Sequence, residues 1–259
     1  MFNLNGKRAY ITGGSSGIGR AIAEIFVENG AQVVIADVVD ATEVANEIGT
    51  TFVPCNVADE ANVEASLVQS VDALGGKLDI VVLNAGVGDV GPTFEETEQS
   101  MLEKVTKINQ WGVLYGLKHA PKNMNDGGSI IATSSMASKL SMPGSGVYSA
   151  AKAAVNSMVS MSALELGARE IRVNSICPGY VNTALGNSPE ERRCSETMTA
   201  LGRHAEPKED IAPVFLFFAA DASRYITGQA LSVDAGMHNG PSNQLLELVT
   251  GTAAAPGSH

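Results

Sequence analysis

Short apolar runs alternate along the chain with longer segments whose apolar residues recur at helical spacing. The seven runs of strand length lie at residues 8–12, 32–37, 51–56, 79–84, 129–134, 172–176 and 230–233. The helical patterns between them lie at residues 18–29, 60–73, 98–124, 147–167 and 208–219. Strands that alternate with helices are typical of parallel βαβ units. The pattern therefore predicts an α/β fold, a doubly wound parallel sheet of seven strands with helices on both faces.

The length of the chain fits one domain of this class. Its 259 residues exceed the usual single-domain range, but open α/β sheets reach that size as one unit. No linker-like stretch divides the chain, so we expect one domain over residues 1–240 and a tail over residues 241–259. The end of the tail, residues 251–259, is mainly Gly, Ala, Pro and Ser without apolar periodicity. We expect this end to be disordered.

Charge and composition argue against several classes of protein. The net charge is −11 and no cluster of Lys and Arg is present, so a nucleic-acid partner would be repelled. No apolar run approaches the ~20 residues that cross a bilayer, and residues 1–7 lack the pattern of a signal peptide. We expect a cytoplasmic protein without a membrane partner. The three cysteines show no C-x-x-C spacing, and no metal site is expected.

A glycine-rich turn joins the first predicted strand to the first predicted helix. Residues 12–19 read Thr-Gly-Gly-Ser-Ser-Gly-Ile-Gly. Gly13 permits the tight turn, and Gly17 and Gly19 let the pyrophosphate of a dinucleotide approach the backbone. The N–H groups at the start of the helix would bind the phosphate oxygens. The residues expected to form this site are Gly13, Ser15, Ser16, Gly17, Ile18 and Gly19.

Asp37 ends the second predicted strand, where a ribose-binding acid belongs. A carboxylate accepts hydrogen bonds from the free 2′-hydroxyl of the adenosine in NAD and repels the 2′-phosphate of NADP. No positive charge lies near it in sequence: the next residues are Val38, Val39 and Asp40, and the glycine turn contributes two serines. Burying a phosphate against Asp37 without a cation is unfavourable. The sequence therefore predicts NAD as the cofactor.

Tyr148 and Lys152 lie four residues apart in one helical pattern. Positions i and i+4 share a face of a helix, so the ammonium can lie beside the phenol. Because a nearby cation favours an ionised phenol, we expect Lys152 to lower the pKa of Tyr148. Tyr148 would then exchange a proton with an alcohol or ketone oxygen near neutral pH. The same spacing also occurs in solvated surface pairs, so the hypothesis depends on the glycine turn.

These motifs together resemble the short-chain dehydrogenase/reductase family, of the ordinary short-subunit type, over residues 7–236. Gly13 and Gly17 have the spacing of its glycine turn. Residues 83–86, Leu-Asn-Ala-Gly, resemble its Asn-Asn-Ala-Gly, with Leu in place of the first Asn. Residues 177–183, Cys-Pro-Gly-Tyr-Val-Asn-Thr, resemble its Pro-Gly segment. With the catalytic residues below, six matches follow the family's order at compatible spacings.

The resemblance implies a catalytic tetrad of Asn109, Ser135, Tyr148 and Lys152. Tyr148 would exchange the proton with the substrate oxygen, and Ser135 would hydrogen-bond the same oxygen. Lys152 would bind the nicotinamide ribose, and Asn109 would hold a water beside Lys152. Structural roles are the alternative for Ser135, as a hydroxyl that bonds to backbone, and for Asn109, as the cap of a helix kink.

The resemblance also implies a Rossmann-type cofactor site that continues beyond the glycine turn. Its residues follow successive strand ends, where open parallel sheets bind ligands. Asn56 stands where the family has an adenine-contacting acid, and its amide oxygen can still accept a hydrogen bond. The further cofactor residues are Asp37, Asn56, Val57, Asn84, Ala85, Gly86, Tyr148, Lys152, Pro178, Gly179, Val181 and Thr183.

Residues 182–206 lack apolar periodicity and resemble the family's mobile substrate lid. The pocket that the resemblance implies is largely apolar and has no basic anchor for a carboxylate or phosphate. We therefore expect an NAD-dependent oxidoreductase that interconverts a neutral secondary alcohol and its ketone by hydride transfer. The candidate pocket residues are Ser135, Met136, Leu140, Met142, Val147, Tyr148, Tyr180, Leu185 and Met198.

Two other functions stay open at this point. One is an NADPH-type 3-ketoacyl reductase of the same fold, which Asp37 opposes. The other is a non-catalytic NAD-binding sensor or scaffold, which the complete tetrad opposes.

Two helical segments, residues 101–120 and 147–166, are so apolar that they have too few polar residues to form a fully solvent-exposed outer face. They could be buried against the sheet alone. Because the family forms tetramers, we expect a homotetramer. The tail segment 244–249 is hypothesised to reach a neighbouring subunit or the rim of the active site.

Overall fold

A seven-stranded parallel sheet forms the centre of the protein. The computed structural model describes residues 2–88 and 91–252. Its strands are β1 (Arg8–Thr12), β2 (Gln32–Asp37), β3 (Thr51–Pro54), β4 (Leu78–Leu83), β5 (Met124–Thr133), β6 (Arg172–Pro178) and β7 (Ala230–Val233). Their order is β3-β2-β1-β4-β5-β6-β7, and neighbouring strands are parallel. The predicted doubly wound α/β sheet is confirmed, and its strand order reverses between β1 and β4.

Helices cover both faces of the sheet. The α-helices of the described residues are α1 (Gly17–Glu28), α2 (Thr42–Ile48), α3 (Glu60–Ala73), α4 (Gln99–Thr106), α5 (Gly112–His119), α6 (Gly146–Leu166), α7 (Pro189–Met198), α8 (Ala212–Ala219) and α9 (Asn243–Thr250). Helices α1 and α8 pack together on one face, and α3, α5 and α6 pack on the other. None of the helices in the described ranges is long and apolar enough to cross a membrane.

Two hydrophobic cores hold the helices to the sheet. Phe26 of α1 and Phe215 of α8 are fully buried in the first core. Leu67 of α3 and Val155 of α6 are fully buried in the second core. Strands β2 and β4 are apolar at most positions because both of their faces are covered. This packing fixes the strand ends, which carry the predicted site.

The helical pattern at residues 98–124 forms several elements, so the prediction of a single helix is wrong. Helix α4 passes through a π-helical turn, Lys107–Trp111, into α5. A 3-10 turn with Pro121 follows α5, and β5 begins at Met124 rather than at residue 129. Proline has no N–H to continue the helix, and a π turn inserts an extra residue into the helical register.

Helices α2, α7 and α9 are absent from the sequence prediction. They contain seven, ten and eight residues, and α7 is too polar to show an apolar stripe. A local signal for α7 was nevertheless present, because Ser188 and Glu191 form a capping box at its start. The lid segment therefore contains a regular helix. The third strand ends at Pro54 rather than at residue 56, which places Asn56 in the turn beyond it.

The predicted tail contains an ordered helix. Helix α9 begins after Ser242, whose hydroxyl accepts a hydrogen bond from the Leu245 N–H at 3.0 Å. It packs against α7, and the Ser242 hydroxyl also donates to the Thr197 carbonyl. The tail thus reaches the lid of its own chain. Of the end that we expect to be disordered, residues 253–259 lie outside the described residues.

Candidate active site

A cavity of about 620 Å³ lies at the carboxyl ends of the central strands, across the point where the strand order reverses. Asp37 and Asn56 line it, and so do Tyr148 and Lys152. One cavity therefore joins the residues predicted to bind adenosine to those predicted to be catalytic. Open α/β sheets bind their ligands at this position.

The glycine turn after β1 has the geometry that a pyrophosphate requires. Gly13 has a φ of +66°, and a Cβ built on it would lie 2.8 Å from the Cα of Ala85. Helix α1 begins at Gly17, and the side chain of its N-cap residue Ser16 makes no capping hydrogen bond within the described structure. The first turn of α1 therefore presents its N–H groups to the cavity, where they can bind an anion.

Asp37 is held at the end of β2 by the glycine turn. Its Oδ2 accepts hydrogen bonds from the Ser15 N–H at 3.2 Å and from the Ser15 hydroxyl at 2.6 Å. Its Oδ1 accepts a bond from the Val39 N–H at 3.2 Å. Each carboxylate oxygen can accept further bonds. Asp37 is thus oriented, with acceptor capacity left for a ribose hydroxyl.

Asn84 joins the ends of three strands. Its amide nitrogen donates to the carbonyls of Thr12 and Gly13 at 3.2 and 3.3 Å, and its amide oxygen accepts from the Thr133 hydroxyl at 3.0 Å. The Thr12 hydroxyl in turn accepts from the N–H groups of Asn84 and Ala85 at 2.9 and 3.0 Å. Thr12 lies outside the predicted site residues, yet it fixes the loop that forms the floor of the cavity.

Tyr148, Ser135 and Lys152 meet on one wall of the cavity. The Lys152 Nζ lies 5.8 Å from the centroid of the Tyr148 ring and donates to the Thr133 carbonyl at 2.8 Å. Ser135 follows β5, and its hydroxyl makes a hydrogen bond with the Tyr148 phenol. The Ser135 Oγ also accepts a bond from the Ala137 N–H at 3.1 Å. The helix and the strand end thus bring together three groups that are distant in sequence.

The electrostatics of this wall correct one prediction. Burial raises the pKa of Tyr148, and the hydrogen bond with Ser135 opposes part of that effect. Burial also lowers the pKa of Lys152 to about 8. The prediction of a lowered pKa for Tyr148 is therefore wrong for the protein alone, because burial of the phenol outweighs the hydrogen bond with Ser135.

Asn109 lies in the π-helical turn and is fully buried. Its amide donates to the Val87 carbonyl at 2.8 Å and accepts from the Val87 N–H at 2.9 Å. This side chain therefore ties the π-helical turn to the loop after β4, which differs from the helix-kink cap named as its alternative. A Cβ built on Gly86 would lie 2.9 Å from the Asn109 Oδ1 and 3.4 Å from the Lys152 Nζ. Gly86 therefore lies against both groups and leaves no room for a side chain between them.

The substrate side of the cavity is mainly apolar. Met136, Met142 and Leu185 line it together with Tyr180. The Tyr180 hydroxyl lies 3.9 Å from the Met142 sulfur and makes a hydrogen bond with the Cys194 thiol. Burial and the neighbouring Cys194 raise the pKa of Tyr180, so its phenol stays protonated.

A β-bridge joins the two ends of the lid, and hydrogen bonds of His204 connect residues within it. Val181 and Ala205 form a β-bridge at the two ends of the lid. Inside it, the His204 Nδ1 lies 2.6 Å from the Ser195 hydroxyl of α7, and its Nε2 lies 3.0 Å from the Gly186 carbonyl. The His204 ring also packs at 5.7 Å from the Tyr180 ring. His204 therefore positions both the lid helix and a wall of the substrate pocket.

The cavity brings together most of the residues predicted from the sequence. Of the predicted cofactor and catalytic residues, Gly19 and Asn109 do not line it, because Gly19 lies inside α1 and Asn109 lies beneath the wall. Of the pocket candidates, Leu140, Val147 and Met198 do not line it either. Lining residues that the sequence analysis missed include Val38, Val87, Thr133, Glu190, Glu191 and Cys194. Those on α7 could have been found from its capping box.

Comparison with known proteins agrees with this geometry. Residues 13–238 match the family model described as Enoyl-(Acyl carrier protein) reductase. The chain is 38% identical over 250 residues to the short-chain dehydrogenase reductase ATA1 of Arabidopsis thaliana, with 89% of this chain and 92% of the relative covered. This protein belongs to the short-chain dehydrogenase/reductase family. The chain is also 37% identical over 241 residues to a mitochondrial borneol dehydrogenase of Lavandula x intermedia, with 90% and 91% covered.

A solved structure shows a similar likeness. It is a blue fluorescent protein from a metagenomic library in complex with NADPH, with a TM-score of 0.85 and 32% identity, covering 91% of this chain and 99% of that one. The family binds a nicotinamide dinucleotide. The uncapped start of α1, the oriented Asp37 and the single long cavity fit such a molecule.

Proposed function

We propose that this protein is an NAD-dependent oxidoreductase that interconverts a neutral secondary alcohol and its ketone. One observation carries the proposal: Tyr148, Ser135 and Lys152 lie together on the wall of a cavity that is otherwise mainly apolar. Lys152 is the one Lys or Arg among the described residues that line it. An uncharged substrate would meet a proton-exchanging phenol there without needing a cationic anchor.

Four side chains of this protein have separate roles in proton transfer. The Tyr148 phenol gives its proton to the ketone oxygen, or takes one from the alcohol, and burial keeps it protonated and ready for the first of these steps. Ser135 hydrogen-bonds the same substrate oxygen. Lys152 binds the nicotinamide ribose, and Asn109 holds a water beside Lys152. When bound, the nicotinamide supplies the hydride acceptor or donor.

The choice of NAD rests on Asp37. Its carboxylate is oriented by Ser15 and faces a cavity end without a lining Lys or Arg in the described structure. We expect Asp37→Ser to lower the NAD-over-NADP ratio of kcat/KM by about 10- to 100-fold, because the repulsion of a 2′-phosphate and a bond to the 2′-hydroxyl are both lost. Steady-state rates with each cofactor measure this ratio.

The matched control for Asp37 is the neighbouring exposed acid Asp40, which bonds Thr42 instead of the glycine turn. Asp40→Ser should leave the cofactor ratio within about twofold, since at this exposed site screening weakens its charge. A wild-type enzyme that prefers NADP, or an unchanged ratio in Asp37→Ser, would contradict the assignment of NAD.

A panel of substrates tests the reaction class. We expect NAD-linked turnover of neutral secondary alcohols such as borneol, cyclohexanol or a hydroxysteroid, followed at the nicotinamide absorbance. Borneol is included because a borneol dehydrogenase is among the relatives. An acetoacetyl thioester tested with NADPH represents the 3-ketoacyl reductase alternative, for which the cavity lining offers no basic residue except Lys152. Tight NAD binding without turnover of any panel member would favour the sensor or scaffold alternative.

We also propose that the enzyme is a homotetramer. In the single chain, apolar side chains on the outer faces of α5 and α6 stay open to solvent, with Leu114 45%, Met161 58% and Leu164 79% exposed. Clusters of this kind mark protein interfaces. Sedimentation equilibrium measures the assembled mass, and a monomer would refute the proposal.

A further inference from the structure

Helix α6 presents a third polar side chain beyond the two that face the cavity. Tyr148, Lys152 and Asn156 follow each other at intervals of four residues, so they lie along neighbouring turns of one side of the helix. Asn156 is half-buried and does not line the cavity. Its contacts lead instead to the loop that carries Ser135.

Asn156 lies in a line of consecutive hydrogen bonds that runs from Ser175 of β6 to Ser135 after β5. Its Nδ2 donates to the Ser138 hydroxyl at 2.8 Å, and that hydroxyl donates to the Ser135 carbonyl at 2.6 Å. Its Oδ1 accepts from the Ser175 hydroxyl at 2.9 Å, with the Cys177 thiol at 3.8 Å. The Ser138 hydroxyl accepts from Asn156 and donates to Ser135, so the orientation of the Asn156 amide fixes that of the hydroxyl.

The line begins in the interior of the sheet. Ser175 and Cys177 are fully buried in β6, which is paired with β5 on one side and β7 on the other. The line ends at Ser135, whose hydroxyl accepts from the Ala137 N–H as the cap of the short turn Met136–Ser138. The carbonyl and hydroxyl of Ser135 are thus held by separate bonds.

We propose that Asn156 is a positioning residue that fixes the Ser135 hydroxyl through Ser138. The proposal deepens the proposed function and rests on it, since it assumes that Ser135 bonds the substrate oxygen. Without Asn156, the Ser138 hydroxyl keeps only the weak contact with the Cys177 thiol at 3.8 Å and is freer to rotate away from the Ser135 carbonyl. The loop then samples positions in which Ser135 misses the substrate oxygen, and misplacement of this kind lowers kcat.

A double-mutant cycle tests this line. We expect Asn156→Ala and Ser138→Ala each to lower kcat about 10-fold, the size of one hydrogen bond, with the KM for NAD within about twofold. Because both act through one line, the double variant should lose about 10-fold rather than the ~100-fold of independent sites. In a Ser135→Ala background, Asn156→Ala should have no further effect on kcat.

The matched control is Asn29→Ala, which removes a half-buried asparagine that bonds the Ile25 carbonyl at 2.8 Å far from the cavity. It should leave kcat within about twofold, since distant sites act independently. Multiplicative losses in the cycle, or a full loss from Asn156→Ala in the Ser135→Ala background, would overturn the proposal. Should Asn156→Ala fail to fold, Ser138→Ala in the same two backgrounds decides the question.

Amide hydrogen exchange supplies a readout that needs no turnover. The Ser138 N–H donates to the Ser135 carbonyl at 3.1 Å, and the Lys139 N–H donates to the Met136 carbonyl at 2.9 Å. In Asn156→Ala, both amides should exchange about 10-fold faster or more, with the β6 amides unchanged. Unchanged exchange at both amides would overturn the proposal. If no alcohol is turned over, the proposed function fails while this measurement still decides the role of Asn156.

Discussion

Tyr148→Phe should lower kcat for alcohol oxidation by about 10²–10⁴-fold, the range that general acid–base groups contribute. The variant keeps the aromatic ring of residue 148 on α6 and loses only the hydroxyl that bonds Ser135. The binding of NAD should change little, because the glycine turn and Asp37 are untouched. Steady-state kinetics at saturating NAD measure kcat, and calorimetric titration measures the NAD dissociation constant.

Tyr180→Phe is the matched control for that experiment. Tyr180 lines the same cavity and is half-buried, but its hydroxyl contacts Met142 and Cys194 instead of Ser135. We expect its effect to fall on the KM of the alcohol, with kcat within about 10-fold, since a uniform binding contact changes KM alone. Undiminished turnover in Tyr148→Phe, or an equal loss of kcat in both variants, would refute the assigned proton transfer.

The sequence predicted those parts of the site whose position is determined by a local pattern of residues. Gly13 and Gly17 follow a strand and open a helix, and only glycine adopts their positive φ easily. Asp37 ends an apolar run, so its place at a strand end could be read directly. Parallel strands bring such ends to one edge of the sheet, which is why the spacing of motifs also predicted one shared cavity.

The parts that the sequence did not predict depend on contacts between distant segments. The π-helical turn at Asn109 forms where its side chain binds the backbone of Val87, and no local pattern encodes that bond. The line from Ser175 through Asn156 to Ser138 joins β6, α6 and the loop after β5. The raised pKa of Tyr148 is likewise a consequence of packing, because burial is not visible in the spacing of two residues.

Lys152→Met should make the folded protein more stable at pH 7 while lowering turnover about 100-fold or more. Burial lowers the pKa of Lys152 from 10.5 to about 8, so the charged amine disfavours folding below that pH. The shift corresponds to about 3 kcal/mol. Removing the amine also loses its bond to the Thr133 carbonyl, worth about 1 kcal/mol. We therefore expect the free energy of unfolding to rise by about 2 kcal/mol, measured by urea denaturation.

The pH dependence of that gain identifies its cause. Between pH 8 and 10.5 the unfolded chain holds the Lys152 proton more tightly than the folded chain does, so the stability that this group gives the wild type rises with pH. Methionine does not titrate, so the advantage of Lys152→Met should be full below pH 8. Above pH 10.5 it should give way to a deficit of about 1 kcal/mol, because only the loss of the Thr133 bond remains. Lys122→Met, at an exposed lysine, should show no such difference. An advantage independent of pH would mean that side-chain packing, rather than the buried charge, sets the stability of this wall of the active site.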